Sequence, residues 1–240
     1  MRHRAFTLLE LIGILLPALG KARSTAKATV CGARLSQLGV ALTGYLNDYD
    51  NTLPQALGPL PGGGQAVIGA LFGGKRGSLP FYGINEIGAA QRPLNGYVSA
   101  PIADPDPKSA DVEMEPFKSP SDRGAASAPG LGRIDSYYEL LGSSYTLNDH
   151  SLDGDDSPTL VPRRADGGGG KMPYVTQPSR TWVLGTHPIY NYEGGGDRGS
   201  RWYDESRVQA NLLFLDMHVR IRVTVPEGIV NTTDDYTFLP

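Results

Sequence analysis

The chain has little of what most functional classes require. It has a single cysteine, Cys31, in 240 residues, which excludes an internal disulfide and argues against a zinc site built on cysteines. It has no excess of positive charge. The formal net charge is −3 at pH 7, so there is no basic field for nucleic acid. Nor is there a long hydrophobic run: the apolar stretch from Phe6 to Leu19 holds 14 residues, where a helix needs about 20 to cross a bilayer. The glycine-rich stretches Gly62–Gly64 and Gly167–Gly170 lack the flanking strand, helix and Lys-Ser/Thr of a phosphate loop, and read as flexible loops. No nucleophile stands in an elbow-like context near His150, His187 or His218, which leaves a soluble-hydrolase reading without its central residue.

Against these absences, 31 glycines and 19 prolines accompany a 40% apolar content. That composition suffices for one sizeable core joined by long irregular connections.

The first 23 residues, MRHRAFTLLELIGILLPALGKAR, carry the most information. A short basic leader meets an apolar run that contains one acid, Glu10. A carboxylate in an apolar segment opposes membrane insertion, so it needs a partner. In the order Phe6-Thr7-Leu8-Leu9-Glu10, the stretch resembles the processing and methylation signal of type IV prepilins and type II secretion pseudopilins. The resemblance implies cleavage by a prepilin peptidase between Ala5 and Phe6, methylation of the new amino terminus, and assembly through Glu10 with neighbouring pseudopilin subunits. A buried carboxylate is tolerable beside a cation, and a neighbour's freed amine is one. Ala5 stands where the family usually has Gly, and the family's apolar run is longer by about ten residues before the equivalent of Pro17. A second reading of the same stretch is an ordinary secretory signal, with Arg2 and Arg4 as its basic region and Ala18-Leu19-Gly20 as its cleavage site. Removal of Arg2 and Arg4 with the leader takes the net side-chain charge to −5.

The resemblance continues through Cys31–Pro54. Leu35, Leu38, Leu42, Tyr45, Leu46 and Tyr49 recur at helical spacing and predict a stripe packed on a globular head. Asn51 and Pro54 end the helix, which runs from near Phe6 to near Tyr49 with a bend at Pro17. Lys21, Arg23, Lys27 and Arg34 give its middle a basic, water-facing character, read for most of them as a solvated helix face and, as an alternative, as a contact with anionic headgroups. Cys31 reads as a helix-packed thiol.

In the head, Leu53–Pro129 reads as loop-dominated, with short apolar islands at Ala66–Phe72 and Leu79–Ile84. Phe117–Asp122, Ser143–Asn148 and Pro178–Gly185 resemble recurring pieces of a group of pseudopilin-like proteins, Ser119 standing where relatives often carry Cys. Thr181–Leu184 predicts a strand. Asn211–Arg220 resembles the group's N-x-L-F-x-D-G-H-V hairpin, with strands over Ala210–Leu215 and His218–Val225 and Met217 in place of the turn glycine. Ser206 occupies a position where relatives often have His.

The loop Asn148–Asp156 gathers Asp149, Asp153, Asp155 and Asp156, hard oxygen ligands of the kind calcium takes, in a spacing that is not an EF-hand. The expected architecture is therefore α+β. Residues 1–5 form a leader and 6–50 a pilin-like stalk helix with a shortened apolar segment. Residues 51–240 form a β-rich head, an antiparallel sheet with long Gly/Pro-rich loops. Three functional readings follow. In the first, the chain is a non-enzymatic pseudopilin-like subunit at the bacterial inner membrane, its head outside the cytoplasm, with no cofactor unless the loop holds calcium. In the second it is an exported ligand- or carbohydrate-binding module with a vestigial anchor, its surface formed by Trp182, Trp202, Tyr190 and Tyr192, residues that the sequence fits equally to a core. The third is the hydrolase.

Overall fold

The computed structural model describes residues 8–98, 112–153 and 170–238. Ala5, Phe6, Asp155 and Asp156 lie outside these residues, and the side chain of Glu10 is likewise outside the description.

Helix α1 spans Leu8–Asp48, 41 residues that run continuously through Pro17, and is therefore about 60 Å long at about 1.5 Å per residue. It ends where Asp50 and Asn51 enter the left-handed region at φ 50° and 58°. Asp and Asn are the side-chain-bearing residues that accept this conformation most readily. The chain then leaves the helix axis, and the backbone N–H of Met172 donates to the carbonyl of Asn51 at 2.7 Å.

The second half of α1 is docked. Ala28, Cys31, Leu35, Leu38, Leu42 and Tyr45 are buried, alternating steps of three and four residues that keep one stripe against the head. Full burial of each leucine contributes about 2 kcal/mol. The expected stripe is present except at its end, where Tyr49 is exposed and stacks on Tyr45 with ring centroids 4.4 Å apart. Two glycines set how close the helix lies. A Cβ at Gly32 would fall 2.7 Å from Cγ2 of Ile221, and one at Gly39 would fall 3.0 Å from Cδ1 of Leu213.

The head contains a hairpin of β1 (Ala56–Pro59) and β2 (Gln65–Ile68), a short helix α2 (Asn95–Val98), and a second hairpin of β3 (Ala125–Ala128) and β4 (Gly132–Ile134). Helix α3 (Tyr137–Leu141) follows, and then a four-stranded antiparallel sheet, β5 (Tyr145–Leu147), β6 (Trp182–Thr186), β7 (Gln209–Phe214) and β8 (Val219–Thr224), in that spatial order. The fold is α+β. Strand β7 is buried on both faces. Leu213 joins the cluster that includes the α1 stripe, while Ala210, Leu212 and Phe214 join a second core with Trp182, Tyr190, Val223, Tyr236 and Phe238. Double burial explains the nearly continuous apolar run of this strand.

Two of the recurring sequence pieces meet at Asp122. Its carboxylate accepts from the backbone N–H of Tyr137 and Tyr138 at the start of α3, at 3.1 and 2.8 Å. It also accepts from the Ser144 hydroxyl at 2.8 Å. An anion at a helix N-terminus satisfies donors that have no partner within the helix.

Several expectations are corrected. The terminal hairpin's strands are Gln209–Phe214 and Val219–Thr224, shorter at the turn than expected. Phe214 N–H donates to His218 O at 3.0 Å and Met217 N–H to Phe214 O at 2.9 Å, so Leu215–His218 belongs to the turn. His218 therefore lies outside the strand, its ring stacked on Phe214 at 4.4 Å. The stretch Gly62–Gly64 is the turn of the β1–β2 hairpin, with Gly63 and Gly64 at φ 90° and 85°. Trp182, Trp202, Tyr190 and Tyr192, the expected ligand surface, are all buried. Large aromatic rings bury more apolar area than any other side chain, and here they fill the space on and around the sheet.

Candidate assembly surface

The first half of α1 projects from the head. Every described side chain from Ile12 to Arg23 is exposed. Contact begins at Ser24, whose hydroxyl donates to the carbonyl of Tyr203 at 3.1 Å and accepts from Nη2 of Arg222 at 2.9 Å. The projection from Leu8 to Ser24 is about 24 Å long at about 1.5 Å per residue.

Ile12, Leu15, Leu16 and Leu19 form an i, i+3, i+4, i+7 stripe along this projection, and Leu16 and Leu19 are 63% and 64% exposed. Residues 11–20 contain no polar side chain. Contiguous apolar surface of this kind marks an interaction site with protein or lipid. Among the described residues, no helix is long and apolar enough to cross a membrane.

The remaining candidates lie in the head. His150 sits between two carboxylates, Nδ1 at 2.9 Å from Oδ1 of Asp149 and Nε2 at 2.8 Å from Oε1 of Glu193. Since both partners only accept, both ring nitrogens donate and the ring is an imidazolium. Burial opposes that charge, but Asp149 and Glu193 outweigh it and raise the His150 pKa to about 10. Arg198 closes the chain with Nη2 at 2.6 Å from Oε2 of Glu193. Burial alone would raise the Glu193 pKa, yet His150 and Arg198 hold it below its ordinary value. The imidazole also stacks on Tyr190 with centroids 4.3 Å apart. A ring with both nitrogens committed in this way offers no lone pair to a substrate, so the cluster is a clamp between two loops and not a general base.

His187 is the opposite case. It is buried and stacked on Tyr137 at 4.4 Å. Burial lowers its pKa to about 4, so the ring is neutral.

The structure does not bring Asp149 and Asp153 together as ligands. Asp149 is engaged with His150, whereas Asp153 accepts from the hydroxyl of Ser151 and from Nδ2 of Asn231. Among the described residues, no group of three or more His, Cys, Asp or Glu side chains could hold a metal ion. Sequence reasoning missed Glu193 and Arg198. Their only signal was a pair of charges flanking the Gly194–Gly196 run, which by itself reads as a polar loop.

Comparison with protein-family models, with curated proteins and with solved structures gives no match to this chain.

Proposed function

We propose that this chain is a non-enzymatic, pseudopilin-like structural subunit. In this reading a prepilin peptidase cuts between Ala5 and Phe6. The projecting half of α1 then anchors the subunit at the inner membrane and meets other subunits of a type II secretion or type IV pilus-like system, with the head outside the cytoplasm. The observation that carries the reading is the exposed apolar stripe Ile12–Leu19 on a helix that continues without a break into the head core.

Glu10 precedes that stripe by two residues. Its carboxylate is costly in an apolar surrounding until a cation meets it, and the amine released at Phe6 of a neighbouring subunit supplies that cation. Charge pairing of this kind favours the assembled state over the isolated one. The test is Glu10→Gln in the native host, followed by in-cell crosslinking. The expected result is a processed N-terminus with subunit–subunit crosslinks lost, and the head intact because Glu10 lies well before the first head contact at Ser24. Crosslinks equal to wild type would contradict the role given to Glu10.

A further inference from the structure

The projection has an apolar end and a cationic base. After Leu19 come Lys21, Arg23 and Lys27, the first two exposed and the third half-buried. From Leu11 to Asn47 the helix contains no Asp or Glu. Among the described residues, Arg34 is the one cation of α1 in an ion pair, with Glu115 at 3.0 Å. Asp204 and Glu205, which follow Tyr203 at the head's contact with Ser24, are engaged by Ser206 and Arg123. Lys21 and Arg23 at the base of the projection therefore face outward, Lys27 is half-exposed beside the head, and none of the three has a carboxylate partner among the described residues.

Length selects how such an element meets a bilayer. From Leu8 to Leu19 the helix rises about 17 Å, close to half of the roughly 30 Å hydrocarbon thickness. Entered end-on, residues 8–19 fill one leaflet, and Lys21 and Arg23 arrive at the headgroups just as the apolar segment ends. A helix with no polar residue from 11 to 20 has no wet face on which to lie flat.

We infer that the stalk is a one-leaflet anchor selective for anionic lipid, residues 8–19, apolar but for Glu10, entering the acyl region and Lys21, Arg23 and Lys27 forming a collar on the phosphate headgroups. This names the lipid partner of the projection and rests on the proposed placement of the helix at a membrane. The collar holds the head at the surface and sets the depth at which Glu10 waits for its partner. Each cation near an anionic surface contributes about fivefold in partitioning, so the collar as a whole contributes about a hundredfold.

The test uses the purified chain beginning at Phe6, without the leader whose Arg2 and Arg4 would themselves favour an anionic surface, with vesicles of phosphatidylcholine alone and of phosphatidylcholine mixed with phosphatidylglycerol. Binding is expected to be about a hundredfold stronger to the mixed vesicles and to weaken as salt rises. The triple change Lys21→Gln, Arg23→Gln, Lys27→Gln abolishes the preference while circular dichroism and Cys31 protection stay at wild-type values. Arg133→Gln, a charge change of the same kind on the head, leaves the preference intact. Depth is read by placing tryptophan at Leu19 or Ile12 against brominated lipids. Leu19→Trp is quenched by bromines near the headgroup and Ile12→Trp by bromines deep in the chain. Equal binding to both vesicle types, or a preference that survives the triple change, overturns the inference and leaves the pilin-like reading standing. Conversely, an N-terminus that is unprocessed in the host defeats the pilin-like reading without changing the vesicle result.

Discussion

The side-chain amide of Asn211 donates to the backbone carbonyl of Ala28 at 3.0 Å, joining the middle of the central strand to the first docked turn of the stalk. The same side chain accepts from the N–H of Arg222 at 2.9 Å. Arg222 lies on β8 at φ 56°, next to the register shift between Ala210 and Leu212. One buried asparagine thus fills the gap left by a bulge and ties the helix to the sheet. Asn211→Ala leaves the Arg222 N–H without a partner, which costs about 2 kcal/mol. Urea denaturation should show that loss, and the Cys31 thiol should react faster as the helix loosens.

Close approach of helix and sheet depends on Gly32. A Cβ there would meet Ile221 at 2.7 Å, so Gly32→Val overpacks the interface by about 1–3 kcal/mol. Pairing it with Ile221→Ala, which removes the opposing methyl groups, should recover most of the loss. A double-mutant cycle in chemical denaturation measures the coupling.

Stability should peak near neutral pH because two histidines pull in opposite directions. The His187 pKa is lowered from 6.5 to about 4 by burial. Its contribution is complete above the unfolded value and is lost as pH falls from 6.5 through about 4, on the order of 3 kcal/mol. The His150 pKa is raised to about 10 by Asp149 and Glu193 against the cost of burial. Its contribution is complete below 6.5 and is lost as pH rises through about 10. In denaturation curves taken across pH, His187→Gln should flatten the acid limb and His150→Gln the alkaline one.

Much of this was legible before the structure. The stripe Leu35–Leu46 reads directly because its residues face one core at a period near 3.5, and the terminal hairpin reads because its alternation and turn are local. The aromatic residues left surface and core open. A tryptophan's preference for interfaces and its preference for cores look alike in sequence, and only the packing of Trp182 between β7 and the C-terminal segment decides it. The His150 clamp was hidden for a different reason: His150 and Glu193 are 43 residues apart, and a charge pair closed over such a distance leaves no pattern along the chain.

Met217 stands at φ 67° in the turn where a glycine is expected. Its side chain also packs on the edge of the main core. Comparing Met217→Gly with Met217→Ala separates the two effects, because both remove the packing and only alanine keeps the Cβ. The glycine variant should be the more stable of the pair by about 1 kcal/mol in thermal or chemical melts.

The pilin-like role turns on what happens at residues 5 and 6. Mass spectrometry of the mature N-terminus, performed on separated membrane and soluble fractions of the native host, tests it most directly. The account predicts N-methyl-Phe6 as the first residue, in the membrane fraction. An intact Met1 in the soluble fraction would contradict it, as would a chain beginning at Lys21 in the medium.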